Sequence, residues 1–339
     1  MNTETNRPLK WVPSAYFAMG LPFVILNMVC VLMFKGLGIA DSQIALWTSI
    51  IMFPWTLKFL WSPLLELVSN KRIIVVTTQI VCGVGFACVA LALHLPSFFA
   101  VCIGILGVVA FSGATHDIAL DGLYMAELSE QDQAKYIGWQ GAFYNIAKLV
   151  ATGLLVYLAG VLIDKSEAAG ASSHEAALHA WTVIMAAAAV LLVILGIYHR
   201  LSLPAGLRRD DSVRKSAGEE LKAVIGDFFT KKHIWLYIAF IILYRLGEGF
   251  VMKIVPLFLK ADVAAGGLTL FMMQQVAPGK HQMAHYAFAS AIMNLSVMVT
   301  GAVSGFLSDA LGYKLFFIVV MLATVPIFIL SRVVPFRDE

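Results

Sequence analysis

Apolar runs of 20 or more residues, separated by short polar stretches, recur along this chain. About 20 apolar residues are what a helix needs to cross the ~30 Å hydrocarbon core of a bilayer. The runs predict six spans at roughly 11–34, 44–65, 73–93, 98–124, 136–162 and 177–198. The first run is too long for the core of a secretory signal and lacks a small-residue cleavage site. It is therefore expected to persist as a helix, with no soluble domain ahead of it. The pattern then changes sharply, because residues 199–232 hold eight Lys or Arg and five Asp or Glu. Leu221, Val224 and Phe228 recur there at helical spacing, which predicts a linker that is partly an interfacial helix. Beyond it come a seventh span near 234–258, a short apolar piece near 263–277, and full spans near 285–307 and 313–334.

Composition gives the same class. The chain is 60% apolar and 13% charged, with a mean hydropathy of +0.83, whereas soluble domains carry about 25% charged residues. This is the signature of an all-α polytopic membrane protein with the lipid bilayer as its solvent. A net charge of +3, spread over loops, provides no basic stripe, so nucleic acid is excluded as a partner. Cys30, Cys82, Cys88 and Cys102 lie in apolar runs without a close-spaced pair, which argues against a disulfide framework and a zinc site. No metal or organic cofactor is expected. Placing the N-terminus inside leaves thirteen Lys or Arg on that side through the linker, against Lys35 and Lys165 outside. The positive-inside rule thus predicts a cytoplasmic N-terminus.

Against this background the intramembrane charges are informative, since one at mid-bilayer costs from about 3 to over 10 kcal/mol. Lys58 lies deep in the second span, within Trp55-Thr-Leu-Lys-Phe-Leu-Trp-Ser-Pro63. Asp117 and Asp121, in Thr115-His-Asp-Ile-Ala-Leu-Asp-Gly122 of the fourth, are spaced i, i+4 and project from one helix face about 6 Å apart. Lys148 falls in the fifth span, and Arg245 with Glu248 at i+3 in the seventh. Mutual pairing in the bundle interior is the least costly arrangement, and two nearby carboxylates can share a proton. The competing readings are structural: Asp121 as a brace near the inner face, Lys253 snorkelling outward, and His116 as a hydrogen-bonded packing residue rather than a proton carrier. Trp139, Gln140, Tyr144 and Asn145 on the fifth span, with Asn294 on the penultimate one, can bind and stack on sugar rings, but equally serve as interhelical contacts. Gly301-Ala-Val-Ser-Gly305 reads as a close-packing device.

The two charged motifs, with Tyr16-Phe-Ala-Met-Gly-Leu-Pro22 in the first span, resemble the AmpG-type muropeptide permeases and the related acetyl-coenzyme A transporters of the major facilitator superfamily. The layout agrees: a six-helix half at 1–198, a cytoplasmic linker at 199–232 and a second half at 233–339. Short matches relate the halves, with Tyr16-Phe-Ala18 answering Tyr237-Ile-Ala239 and Ala134-x-Tyr136 answering Ala284-x-Tyr286. On that correspondence the last two spans equal helices eleven and twelve, and about three helices of the second half are missing, with a join near Gly266-Gly267-Leu268. The resemblance implies a monomeric permease of the bacterial inner membrane. It would import a small-molecule substrate, GlcNAc-anhydromuramyl peptides, driven by the proton gradient. Lys58, Asp117 and Asp121 match the motifs and would form the polar core of the first half. His stands at 116 where Gln is common, and Glu66 where the superfamily loop often has Asp.

Three alternatives stay open: transport of another anionic solute such as an acyl-coenzyme A or a siderophore, a shortened remnant without transport, and a membrane acyltransferase. The last rests on the H-x4-D spacing of His116 and Asp121, which lies within a long apolar helix rather than beside a surface acyl-donor site. An enzyme is not expected.

Overall fold

In the computed structural model, the described residues are 8–66, 68, 70–206, 217–243, 271–279, 282–293, 296 and 322. Among them the regular structure is entirely helical. Among the described residues, five helices are long and apolar enough to cross a membrane: α1 (Pro8–Gly36), α5 (Lys71–Ala92), α6 (Phe98–Glu127), α7 (Glu130–Ala168) and α8 (Ser173–Ser202). Polar caps start several of them. Asn70 accepts from the Ile73 amide at 3.3 Å, Ser129 from the Asp132 amide at 3.1 Å, and Ser172 forms a capping box with Glu175. Each cap satisfies an amide that the first helical turn leaves unpaired.

The second expected span, 44–65, is not one helix. It is built from α2 (Asp41–Ile51), α3 (Phe53–Leu57), a tight 3-10 turn at Lys58–Leu60, and α4 (Ser62–Glu66). Pro54 and Pro63 explain the breaks, because proline donates no amide and is tolerated only in the opening turn of a helix. Two of the long helices widen by one residue per turn: α1 at Ile25–Val29 and α7 at Leu149–Leu155. These π-helical segments pack against each other, and such widenings are often found at functional positions.

The chain divides into two units, Met1–Trp55 with Ser69–Arg208, and Thr56–Val68 with Arg209–Glu339. In the first, α5 packs against α6 and α8, and α1 against α6 and α7. A buried polar chain ties three of these helices together. His199 of α8 is fully buried, with Nδ1 2.8 Å from Gln79 Oε1 on α5 and Nε2 3.0 Å from Ser14 Oγ on α1. Gln79 Nε2 completes it by donating to the Leu192 carbonyl at 3.3 Å. Buried polar groups satisfied in this way fix the relative placement of helices, since leaving one unpaired costs about 1–3 kcal/mol.

The second unit contains α9 (Ala217–Thr230), α10 (Ile234–Leu243), a π-helical turn at Met272–Val276, and α11 at 282–293. The periodicity of the linker is realised: Val224 and Phe228 are buried, and Phe228 stacks on Phe288 with ring centroids 5.4 Å apart. Phe59 packs on the same Phe288 at 4.9 Å. Lys231 Nζ donates to the carbonyls of Val276 and Pro278 at 2.6 and 2.7 Å. Burial pushes this ammonium down to about 8, against the opposing pull of Asp227. Lys231→Met removes the donor from both carbonyls and is expected to lower the melting temperature. A folded-state pKa below the ordinary 10.5 means that burial penalises the charged form below about pH 8. The stability advantage of the wild type over Lys231→Met should therefore grow as pH rises from 8 towards 10, which thermal melts at stepped pH will check.

The expected join near Gly266-Gly267-Leu268, and the Gly301–Gly305 packing run, lie outside the described residues.

Candidate functional site

The site is built on α6. Its thirty residues have almost no polar face, so Asp117 and Asp121, 7% and 1% exposed, are carried wholly into the interior of the first unit. A buried carboxylate must be met by donors. Asp121 Oδ1 accepts from the Tyr16 hydroxyl of α1 at 2.9 Å and from Gln140 Nε2 of α7 at 3.5 Å. Asp117 Oδ2 accepts from the Trp55 indole Nε1 at 2.8 Å. These donors are neutral and come from three different elements, so the two carboxylates cross-link the core of the unit.

Close backbone approach makes the contacts possible. A Cβ at Gly113, one turn before Asp117, would lie 2.8 Å from Trp55 Cζ2, so only glycine lets the indole lie flat enough on α6 to reach the carboxylate. A Cβ at Gly20 would lie 2.9 Å from Ala147 Cβ and 3.2 Å from the Tyr144 carbonyl oxygen. This is where α1 and α7 meet. Rings then continue from the aspartate outward. Trp55 meets Phe23 edge-on at 5.2 Å, Phe23 lies 6.5 Å from Tyr144, and Lys148 Nζ sits 5.4 Å from the Tyr144 ring centroid. An ammonium over an aromatic face is held electrostatically and keeps its other side open to an anion.

The sequence-predicted residues separate in the structure. Asp117, Tyr144 and Lys148 are joined through this aromatic wall, and Asp121 is held beside it by Tyr16 and Gln140. Asn145 donates to the Gly141 carbonyl of its own helix at 3.0 Å. His116 is 3% exposed, and neither ring nitrogen has a hydrogen-bond partner among the described residues. The packing role expected of it would need such a partner. Lys58 is 3% exposed in the 3-10 turn and belongs to the second unit, whereas both aspartates belong to the first. Arg245, Glu248, Lys253 and Asn294 lie outside the described residues. Trp139 is 45% exposed and stacks on Phe143 at 5.9 Å. No group of His, Cys, Asp and Glu among the described residues is arranged to hold a metal ion.

Tyr16, Phe23 and Trp55 are functional candidates that the sequence reading did not single out as such. Trp55 and Tyr16 stand in the quoted motifs, and the only signal was chemical: a buried carboxylate needs donors, and each has one.

Helical spans enclosing buried carboxylates and an aromatic wall define a multi-pass membrane protein of transporter architecture. The chain belongs to the Major Facilitator Superfamily, whose family model matches residues 14–273. The anhydromuropeptide permease of Escherichia coli K12 is 26% identical over 216 residues, which is 60% of this chain and 39% of the permease. The permease of E. coli O157:H7 matches to the same extent. The chain thus spans about two fifths of these relatives (39%). Among solved structures, FucP in its outward conformation superposes with a TM-score of 0.64 at 13% identity, covering 95% of this chain and 97% of that one. A variant of the E. coli fucose:proton symporter FucP gives 0.61 with the same identity and coverage. At that identity the likeness concerns the fold.

Proposed function

We propose that this chain is a secondary transporter that imports an anionic, sugar-bearing solute, a cell-wall muropeptide, with a proton. The observation that carries the proposal is the continuous run from Asp117 through Trp55, Phe23 and Tyr144 to Lys148, which places an acid and a cation at the two ends of one aromatic wall. The similarity to the anhydromuropeptide permease supports the substrate class.

In this mechanism Asp117 takes the proton. Trp55 Nε1 can only donate, so it keeps Oδ2 as an acceptor and leaves the proton to Oδ1. Asp121, tied to Tyr16 and Gln140, is the structural member of the pair, and Tyr16 OH can donate or accept as the charge changes. Lys148 meets an anionic group of the solute, while Tyr144 and the exposed Trp139 offer faces to a sugar ring. Lys58, Arg245 and Glu248 balance charge, and Asn294 supplies an amide. The protein works as a monomer in the bacterial inner membrane with its N-terminus cytoplasmic, driven by the proton gradient without a cofactor.

Uptake of radiolabelled GlcNAc-anhydromuramyl peptide by import-deficient cells expressing the chain tests the reading. Accumulation is expected, with excess unlabelled muropeptide competing and a siderophore or acyl-coenzyme A failing to compete. Competition by either of the latter instead would move the substrate class to that solute. No accumulation of any of the three would overturn the proposal.

A further inference from the structure

Among the described residues, helix α9 has two apolar flanks, one buried and one partly exposed. Val224 and Phe228 are buried within the second unit. Ile225 and Phe229, on the adjoining flank, are 37% and 41% exposed, and Phe229 lies 5.4 Å from the ring of Trp235, itself 69% exposed at the start of α10. Lys222 lies on the same flank as Ile225 and Phe229, and Lys232 in the turn between the helices; both are exposed. Asp227 is exposed and falls on the opposite side of the helix by register. An apolar strip edged by lysines, with Asp227 turned away and a tryptophan at the root of the following apolar helix, is the distribution of a helix lying in the headgroup layer.

We infer that the corner formed by Phe229 and Trp235, with Lys222 and Lys232, docks on anionic phospholipid headgroups of the leaflet facing the linker. The rings sit at the boundary of headgroup and acyl chain, and the ammonium groups meet the phosphates. The inference is independent of the substrate assignment, since it uses no residue of the aspartate site.

The test places a nitroxide at Phe229→Cys in the full chain with Cys88→Ser, because Cys88 is the exposed cysteine while Cys30, Cys82 and Cys102 are buried. The protein is reconstituted in phosphatidylcholine vesicles with and without phosphatidylglycerol. Phosphatidylglycerol should raise oxygen over nickel-chelate accessibility at position 229, while a label at Asp227→Cys stays aqueous. Lys222→Gln and Lys232→Gln should each reduce the docked population by roughly fivefold. Quenching of Trp235 fluorescence by brominated phosphatidylglycerol, taken as the difference from Trp235→Phe, gives the same reading without a label at 229. An aqueous signal at 229 in phosphatidylglycerol vesicles would overturn the inference. So would equal depth in both lipids, or spin-spin broadening that reveals a second copy as the occupant.

Discussion

Asp117→Asn is expected to abolish uphill accumulation while leaving the protein folded. The amide keeps the shape of the carboxyl, and its oxygen can still accept from Trp55 Nε1, the 2.8 Å bond of the native site. What it loses is the ability to carry a proton. One proton entering with a monoanion moves no net charge, so the pH gradient drives accumulation, and each pH unit supplies about 1.4 kcal/mol, or about a tenfold concentration ratio. Steady-state accumulation should fall from about that level to unity, with facilitated equilibration retained. Trp55→Phe keeps the ring against Phe23 and removes only the donor. A hydrogen bond to a charged group contributes about 1.5–3 kcal/mol, so uptake should drop roughly tenfold or more. Time courses of labelled muropeptide in energised vesicles distinguish the two variants, one losing the plateau and the other the initial rate. Full accumulation by Asp117→Asn would remove Asp117 from the proton path.

Gly113→Ala should damage both stability and transport through one methyl group. The added Cβ would sit 2.8 Å from Trp55 Cζ2 and 3.1 Å from Cη2, with Pro22 Cβ behind at 3.7 Å. The indole cannot retreat without breaking its bond to Asp117. Overpacking of this kind costs about 1–3 kcal/mol, which exceeds the gain of up to about 1 kcal/mol from replacing glycine by alanine in a helix. Gly138→Ala is the matching control, because nothing lies within 4 Å of its added Cβ. Melting curves in detergent should show Gly113→Ala lowered and Gly138→Ala unchanged or raised. Only Gly113→Ala should lose uptake in parallel with Trp55→Phe.

The long helices were legible in the sequence because a bilayer demands uninterrupted apolar length, and the runs at 98–124 and 177–198 fall inside α6 and α8. The break of the second span was less visible. Its two prolines were in plain view, but the apolar composition runs across them, so length alone read it as one helix. The aspartate pair was equally legible, since charge stands out against a hydrocarbon background. Its partners were not. Cationic partners were expected from the cost of burying a charge, yet the donors that reach Asp117 and Asp121 from other elements include an indole, a phenol and an amide. Trp55, Tyr16 and Gln140 lie 62, 105 and 19 residues away from their aspartates, and no local pattern encodes such a meeting. Gly113 carries its information in the same silent way, as room for a ring from another helix. Lys58 was legible for the same reason as the aspartates, as a charge against apolar neighbours, and it is buried in the proline-flanked turn.

Proton movement coupled to the solute is the decisive test of Asp117 as the proton carrier. Proteoliposomes are loaded with a pH-sensitive dye, and GlcNAc-anhydromuramyl peptide is added outside without an imposed gradient. Acidification of the lumen is expected as the peptide enters, and none with Asp117→Asn. Peptide uptake without acidification, or acidification undiminished in Asp117→Asn, would contradict that role.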